Sequence, residues 1–514
     1  MVTQVATVAF SGIEARPVDV QVQLASGVVA FAIVGLGDKA VAESRERVRS
    51  ALFAAGLALP AKRITVNLAP ADLPKEGSHY DLPIALGVMV AIGALPSDAL
   101  DGYTVLGELG LDGSIRSVAG VLPAAIAAAA RGHGLICPAS CGAEAAWAGE
   151  ELEILAPDSL LRLVTHFQGA QPLARPVARV RAGEGPLPDL ADVRGQALGR
   201  RALEVAAAGG HNLLMNGPPG AGKSMLAQRL PSLLPPLRPR ELLEISMIHS
   251  VAGLLEAGAL TDRRPFRAPH HSASMAALVG GGVSARPGEA SLAHNGVLFL
   301  DELPEFSVQA LDSLRQPLES GEVMVARANH RVTYPARFQL VAAMNPCRCG
   351  RGTEPGYACR RGPNERCMAQ YQARLSGPLL DRIDLVIETP AVRAVDLMPA
   401  PGAPPGESSA AVRARVLAAR ERQQRRYARH GAPDMLNAAC PPALLHETAA
   451  PDGEGMALLQ AAADSMRLSA RGWHRTLRVA RTIADLAGEE RVRRPHVAEA
   501  LGFRMVIGRS SRAA

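Results

Sequence analysis

The segment that most constrains the fold is a glycine-rich loop at residues 217–224. An apolar strand, Leu213–Met215, precedes the loop, and a predicted helix, Met225–Leu233, follows it. This strand–loop–helix order is the context of a phosphate-binding loop in an α/β core, since the glycines let backbone N–H groups approach phosphate oxygens. We expect Lys223 to contact the β- and γ-phosphates of ATP and Ser224 to bind Mg²⁺. The predicted ATP-binding residues are Gly217, Pro218, Pro219, Gly220, Ala221, Gly222, Lys223 and Ser224.

Two further apolar strands end in polar residues that suit the same site. Val297–Leu300 runs into Asp301 and Glu302. We expect Asp301 to hold Mg²⁺ through its water shell and also to contact the nucleotide, and Glu302 to polarise the attacking water. Phe338–Met344 runs into Asn345, whose amide is expected to orient that water. The alternative for Asn345 is a simple turn at the Asn-Pro step.

Two arginines complete the predicted catalytic set. Arg382 precedes the apolar strand Leu385–Glu388, the usual place for an arginine that reaches the nucleotide of a neighbouring subunit; a surface Asp–Arg pair is the alternative. Arg471 opens a helical stretch and is the candidate second sensor of the γ-phosphate, with Arg478 as the alternative. The order of these motifs resembles that of the AAA+ ATPases. The resemblance implies an active site between subunits of a homo-oligomeric ring, most often a hexamer.

The chain is predicted to be an α/β protein of several domains. Its 514 residues are 48% hydrophobic and 3% aromatic, which is typical of Ala-rich helices packed on parallel strands. Residues 1–168 form one predicted α/β unit, 189–390 hold the ATPase motifs and 410–508 are predicted to be helical, with Pro-rich linkers at 169–188 and 391–409. The other predicted strands are Val5–Phe10, Val18–Val22, Ile64–Leu68 and Tyr103–Leu106, and the other predicted helices are Lys39–Ala55, Leu82–Ile92, Leu122–Ala130, Ala410–Arg429, Gly455–Ser469, Thr476–Ala487 and Arg494–Leu501.

Six longer stretches are more specific than these general motifs. They are Phe266-Arg-Ala-Pro-His-His-Ser-Ala-Ser274, Gly280-Gly-Gly282, Arg286-Pro-Gly-Glu289, Ser291–Phe306, Leu314–Gly321 and Leu468–Leu486. Together they resemble the bacterial magnesium-chelatase-like ComM/YifB family over essentially the whole chain. The resemblance implies a Lon-protease-like N-terminal domain, a chelatase-type AAA+ core with a parallel sheet, and a C-terminal α-helical lid. It also implies a ring-forming DNA helicase that drives branch migration during homologous recombination in natural transformation.

A basic hairpin supports a DNA partner independently of that resemblance. Residues 321–337 alternate as a β-hairpin does, with Arg327, His330 and Arg331 near the tip. Arginines there would follow the phosphates of single-stranded or branched DNA without reading bases; a solvated surface hairpin is the alternative. The net charge of +6 is compatible with DNA. Other partners to expect are recombination proteins. The alternative functions are a metal-insertion ATPase subunit, an ATP-dependent protease and a remodelling AAA+ protein without a DNA role.

The N-terminal unit resembles Lon protease in two places but lacks one of its catalytic groups. Leu73–Asp81 resembles the loop of the nucleophilic serine, and 107–122 resembles the hairpin and helix that carry the lysine. The nucleophile position falls at His79, with Ser78 out of register, and the lysine position falls at Leu122. Because leucine is no base for a Ser–Lys dyad, we expect a degenerate domain that serves assembly or DNA binding.

Four of the seven cysteines lie in one loop, residues 346–368. They are Cys347, Cys349, Cys359 and Cys367, and they are candidate ligands of a structural Zn²⁺; four exposed free thiols are the alternative. The longest apolar run, Leu82–Pro96, is too short to span a bilayer. We see no signal peptide, and we expect a cytoplasmic protein with no membrane partner.

Overall fold

The computed structural model describes residues 2–35, 37–181, 185–255, 258–282, 285–327, 330–352, 357, 359, 363–391 and 406–504. Its N-terminal part is built on a seven-stranded sheet. The two longest strands form an antiparallel hairpin, and the outer strands at one edge run parallel to one another. In spatial order the strands are Ala30–Val34, Arg63–Ala69, Glu14–Ala25, Val2–Ser11, Tyr103–Val105, Gly134–Ile136 and Ile154–Leu155.

Helices cover this sheet and bury its apolar face. Asp81–Ala91 is buried along most of its length, since nearly all its side chains are apolar. It is joined to Lys39–Ala54 by an ion pair in which Arg47 Nε lies 2.6 Å from the fully buried Asp81 carboxylate. The remaining helices of this part are Val121–Ala130, Gly142–Ala145 and Leu160–Phe167, and a short antiparallel pair joins Glu108–Leu109 to Ile115–Arg116.

The central part contains a five-stranded sheet in which every neighbouring pair is parallel. In spatial order the strands are Phe266–Arg267, Val297–Leu300, Gln339–Met344, Leu213–Asn216 and Leu385–Glu388. All six residues of the middle strand are buried, as is usual where both faces of a parallel sheet are covered. The carboxyl ends of the strands meet at one edge, which is where open α/β sheets bind ligands.

Short helices and three two-stranded pairs surround this sheet. The single helix predicted over Met225–Leu233 is wrong: one helix ends at Ala227 and a second begins at Leu230. Pro231 lies in the first turn of the second helix, where its missing N–H costs nothing. The helices are Ala197–Gly209, Lys223–Ala227, Leu230–Leu233, Pro239–Ala252, Met275–Val279, Glu289–Leu292, Val308–Ser313, Arg315–Ser320, Asn364–Gln372 and Gly377–Leu380. The pairs are Val180–Arg181 with Leu260–Thr261, Gly280–Gly281 with Arg286–Pro287, and Glu322–Arg327 with His330–Pro335.

The part from 406 to 504 is helical, as predicted, and it packs on the central sheet. Its most buried helix is Ala470–Ala487, and Thr482 Oγ1 lies 2.8 Å from His211 Nε2, just before the strand that leads to the glycine-rich loop. The buried Asp485 carboxylate accepts hydrogen bonds from Arg426 and Asn437. The helices are Ser409–Ala428, Pro442–Thr448, Gly453–Met466, Ala470–Ala487 and Arg494–Gly502; the second of them was not predicted.

Among the described residues, the N-terminal and central parts contact each other through a pair of helices and through a pair of hairpins. The helix Val121–Ala130 packs on Pro239–Ala252, and the N–H of Gly120 donates to the Ser250 carbonyl over 3.0 Å. The turn of the first hairpin packs against the hairpin of residues 322–335, because Ile13 joins its apolar cluster. Part of the predicted linker 169–188 forms a strand, and residues 392–405 lie outside the described chain. Among the described helices, none is long and apolar enough to cross a membrane.

Candidate nucleotide-binding site

The glycine-rich loop follows the strand Leu213–Asn216 at the carboxyl edge of the central sheet. Some of its glycines have no room for a side chain, and others have a positive φ angle. A Cβ on Gly217 would lie 2.0 Å from the carbonyl oxygen of Thr389, and Gly220 and Gly222 have φ angles of 77° and 84°, a region that glycine tolerates best. The loop therefore needs glycine at these three positions to reach the start of the helix at Lys223.

Lys223 connects the loop with a neighbouring strand. Its ammonium group donates to the carbonyl oxygens of Gly217 and Pro218 over 2.6 and 2.8 Å. It also donates to Oδ1 of Asn345 over 3.1 Å. Burial lowers the pKa of Lys223 and outweighs the opposing influence of the nearby carboxylates. The two residues predicted to bind and sense the γ-phosphate are thus in direct contact.

Ser224 and Asp301 form the second contact across the site. The Ser224 hydroxyl donates to Oδ2 of Asp301 over 2.6 Å, although the residues are far apart in sequence. A hydroxyl and a carboxylate are hard oxygen ligands of the kind Mg²⁺ selects. The donor set therefore fits the predicted Mg²⁺ site, in which these two residues would hold the ion beside the phosphates.

Glu302 is exposed at the same edge and has a partner that the sequence did not reveal. Its φ angle is 50°, which is uncommon for a non-glycine residue. Nδ1 of His271 lies 3.5 Å from the Glu302 carboxylate, and the His270 and His271 rings contact each other with centroids 4.0 Å apart and planes tilted by 36°. The segment that precedes Met275–Val279 therefore contacts the residue predicted to polarise water.

Gln196 is a second residue that sequence reasoning missed. Its side-chain N–H groups donate to the carbonyl oxygens of Ala221 and Pro390, over 3.0 and 2.7 Å. The residue has φ 51° and lies immediately before the helix Ala197–Gly209. It therefore ties the loop to the segment after the last strand. The helix Ala197–Gly209 was not predicted, so no sequence signal marked Gln196.

Arg382 and Arg471 do not lie with these residues. Arg382 precedes Leu385, which pairs with Leu213 at the amino end of the sheet, so about 10 Å of strand separates it from the loop. Its guanidinium pairs with Glu319 and donates to the Pro378 carbonyl over 2.7 Å. Nη1 of Arg471 lies 3.7 Å from Asp381, beside Arg382. Within one chain these arginines face away from the phosphate-binding loop.

Two neighbouring arginines have structural roles instead. The buried Arg475 contacts Asp381 over 3.0 Å and the Ile383 carbonyl over 2.8 Å, so it fixes the helix Ala470–Ala487 to the segment that carries Arg382. Arg478, the alternative to Arg471, donates to the Cys440 carbonyl over 2.8 Å. The sequence did not distinguish these arginines, because their order along a helix does not say which of them a neighbouring segment will cover.

The predicted basic hairpin is present, with strands Glu322–Arg327 and His330–Pro335. Its stem is anchored by the buried residues Val323, Val325 and Tyr334, and the Tyr334 hydroxyl donates to the Ala285 carbonyl over 3.0 Å. Arg331 is exposed. The turn residues 328–329, and the side chains of Arg327 and His330, lie outside what the structure describes.

The residues at the Lon-like positions of the N-terminal part are His79, Ser78 and Leu122, and each contacts neighbouring groups of the fold. His79 is buried, its Nε2 lies 2.9 Å from the Val8 carbonyl oxygen, and burial lowers its pKa to about 4. The Ser78 hydroxyl donates to Glu108. Leu122 is fully buried, and its N–H donates to Glu144 over 2.8 Å. These positions therefore contain neither a lysine nor a serine paired with one.

The cysteine-rich loop contains a buried sulfur cluster. Cys347, Cys359 and Cys367 are buried, and Cys349 packs against them. The Sγ atoms of Cys347, Cys349 and Cys367 all lie within 4.8 Å of one another. The alternative of four exposed thiols is wrong, because three of the four are buried and the fourth is half-buried.

Comparisons with known proteins cover nearly the whole chain. The family model for magnesium chelatase subunit ChlI matches residues 189–397, that for the ChlI C-terminal part matches 406–504, and a further ChlI model matches 20–140. The protein YifB of Salmonella typhimurium is 43% identical over 504 residues, which cover 96% of this chain and 95% of that protein. The competence protein ComM of Haemophilus influenzae is 45% identical over 502 residues, 96% of each chain. An uncharacterized protein of Mycobacterium tuberculosis is 45% identical over 506 residues, 98% of each chain.

These matches agree with the geometry of the site, since the phosphate-binding loop and its partner residues lie inside the central matched region. Relatives of this identity, aligned along almost their full length, share one fold and one domain order. The chain therefore belongs to the ComM/YifB family of magnesium-chelatase-like P-loop proteins.

Proposed function

We propose that this protein is an ATP-driven DNA motor, a hexameric helicase that drives branch migration during homologous recombination in natural transformation. The observation that carries the proposal is that one buried strand joins the basic hairpin to the nucleotide site. The hairpin ends at Pro335, and four residues later the strand Gln339–Met344 begins, which leads to Asn345. The similarity to the competence protein ComM supports the biological setting.

ATP turnover is assigned to residues at the carboxyl edge of the sheet. Lys223 neutralises charge on the β- and γ-phosphates, and Asn345 and Glu302 orient and polarise the attacking water. Ser224 and Asp301 would hold Mg²⁺, which supplies positive charge to the phosphate oxygens. His271 lies close enough to Glu302 to position its carboxylate. The loop, Asp301 and Asn345 follow three different strands, so the sheet itself sets their spacing.

The arginines at the amino edge support a ring with shared active sites. Arg382 and Arg471 lie together, about 10 Å of strand away from the loop of their own chain. A head-to-tail ring brings this surface of one subunit to the nucleotide of the next. In that arrangement Arg382 leaves Glu319 and contacts the neighbour's γ-phosphate, and the C-terminal helix that carries Arg471 acts as a lid on the neighbour's site.

The hairpin of residues 322–335 has the properties of a DNA-contacting element. One face of its stem is buried, which anchors the hairpin, whereas Arg331 is exposed on the opposite face. Arginines at such a position bind phosphates and attract DNA of any sequence. The hairpin of the N-terminal domain packs on the stem near Thr333, which supports a role for that domain in holding this element. Buried His79 and Leu122 do not supply the Ser–Lys pair that proteolysis there would need.

A second candidate function is metal insertion, as in a magnesium chelatase subunit. The descriptions of the matched family models favour it. The DNA proposal accounts in addition for the basic hairpin and for the competence protein among the relatives. The two functions differ in their response to DNA, because only a DNA motor is expected to turn over ATP faster when DNA is bound.

The first prediction concerns the two central catalytic groups. Lys223→Ala should abolish ATP binding and turnover, because the variant has no buried cation to neutralise the phosphates. Glu302→Gln should keep ATP binding near that of the wild type but lower kcat by about 10²–10⁴-fold, the usual contribution of a general base. Fluorescent ATP-analogue binding and phosphate release measure these effects. Glu454→Gln, an exposed residue of Gly453–Met466, is the matched control, and normal turnover by Glu302→Gln would refute the assignment.

The second prediction tests the shared active site by mixing two inactive variants. Lys223→Ala and Arg382→Ala should each lack ATPase activity alone. An equal mixture should recover activity, because about a quarter of the interfaces in random rings pair an intact loop with an intact arginine. Each variant must first be shown to assemble by analytical ultracentrifugation. A mixture that assembles but stays inactive would place Arg382 outside the neighbour's active site.

The third prediction concerns DNA. The Arg327→Ala/Arg331→Ala variant should keep its basal ATPase rate but should no longer be stimulated by single-stranded DNA. The slope of log DNA affinity against log salt concentration should decrease in magnitude by about 0.7 for each phosphate that the variant no longer neutralises. Arg425→Ala, an exposed arginine on Ser409–Ala428, is the control.

Unchanged DNA affinity and unchanged ATPase stimulation in the double variant would contradict the role of the hairpin. Absence of any stimulation in the wild type would favour the second candidate function.

A further inference from the structure

The sulfur cluster after Asn345 has the geometry of a metal site. Cys347 and Cys349 have Sγ atoms 2.8 Å apart, and the Cys367 Sγ lies within 4.8 Å of both. Cys359 is buried in the same cluster, and its side chain hydrogen-bonds to that of Cys349. Four sulfurs around one Zn²⁺, with Zn–S bonds of about 2.3 Å, lie about 3.8 Å from one another. The sulfurs of Cys347, Cys349 and Cys367 lie close to that geometry, and Cys359 completes the set of four when its side chain moves closer to them.

The backbone around the cluster is organised as it is around thiolate ligands. The N–H of Gly352 donates to Cys347 Sγ over 3.2 Å. Gly350, with φ 83°, donates its N–H to the Cys347 carbonyl over 2.9 Å and so forms a tight turn between the first two sulfurs and Gly352. Hydrogen bonds from N–H groups to sulfur and rigid turns stabilise bound metal thiolates and set their orientation.

Asn364 closes the loop around the third sulfur. Its Oδ1 accepts a hydrogen bond from the Cys359 N–H over 2.8 Å. Its Nδ2 donates to the carbonyl oxygens of Gly352 and Tyr357 over 3.1 and 2.6 Å. One side chain thus holds the segments of Cys347, Cys359 and Cys367 together. Thiolates are soft ligands, and four of them in a tetrahedral arrangement bind zinc in preference to magnesium or calcium.

The cluster lies directly against the phosphate-binding loop. Cys347 is two residues from Asn345, which contacts Lys223. Gly350 packs on Pro219, since a Cβ at Gly350 would lie 2.7 Å from the Pro219 ring. We propose that Cys347, Cys349, Cys359 and Cys367 bind one structural Zn²⁺, and that the zinc-bound loop supports the phosphate-binding loop at Pro219. The second part of this inference rests on the ATP-binding role proposed above, whereas the first part does not.

Zinc content tests the first part. Full-length protein purified without added zinc and without chelator should contain about one zinc per chain by mass spectrometry of the elements. Cys367→Ser should bind no metal, and Cys440→Ser, a buried cysteine of the helical part, should keep it. If Cys367→Ser fails to fold, release of zinc from wild-type protein by a thiol-modifying reagent gives the same information. Wild-type protein without zinc, iron in its place, or full zinc in folded Cys367→Ser would overturn the site.

ATP binding before and after zinc removal tests the second part. Removal of zinc from wild-type protein should weaken binding of a fluorescent ATP analogue by about tenfold, and restored zinc should reverse the effect. Treatment of the Cys440→Ser control should give the same result as the wild type. If the protein contains zinc but its ATP affinity does not change when the zinc is removed, the proposal that the loop supports Pro219 is refuted. The proposed zinc site would still stand. Failure to bind ATP in the zinc-loaded wild type would instead refute the proposed ATPase.

Discussion

Lys223 donates hydrogen bonds to two carbonyl oxygens of its own loop and to the amide oxygen of Asn345. This buried cation joins the ends of two neighbouring parallel strands. Asp301 and Glu302 follow the strand next to that of Asn345, and Asp301 is connected to the loop through Ser224. Because the strands are parallel, all of these groups reach one edge of the sheet. The rest of the site depends on that arrangement.

The proposal of a motor rests on the elements that lie at the carboxyl and amino edges of the central sheet. At the carboxyl edge, the cysteine-rich loop follows the strand that leads to Asn345, whereas the basic hairpin precedes the amino end of the same strand. A change at the γ-phosphate is therefore next to the cysteine-rich loop and is connected to the hairpin only through the length of the strand. At the amino edge, Arg382 and the C-terminal helix are held together by Arg475. In the proposed motor, a subunit would thus present its nucleotide site on one side and its arginines on the other, as a head-to-tail ring requires.

Local motifs allowed much of the core to be predicted from the sequence. The loop, the acidic strand end and Asn345 are each defined by a few adjacent residues, and the structure brings them into contact. The strands Gly134–Ile136 and Ile154–Leu155 were not predicted, because two or three residues show no alternation. Their pairing is set by neighbours distant in sequence. The same reason explains why the contacts of His271 and Gln196 were missed.

The position of Arg471 illustrates a different limit. A helical pattern shows where an arginine lies along the chain but not which edge of a sheet the helix covers. The helix Ala470–Ala487 reaches His211 and Asp381, at the amino edge. Whether Arg471 serves its own nucleotide or that of a neighbour depends on this packing. The buried sulfur cluster also required the fold, since Cys367 reaches the other cysteines only when its helix packs over the loop.

Movement of DNA strands tests the central claim most directly. A forked or four-way DNA with one labelled strand is incubated with the purified full-length protein and ATP, and the released strand is measured over time. The account predicts ATP-dependent release by the wild type and none by Glu302→Gln, which should still bind ATP and DNA. Wild-type protein that hydrolyses ATP in the presence of this DNA, yet leaves its strands in place, would contradict the proposal of a DNA motor.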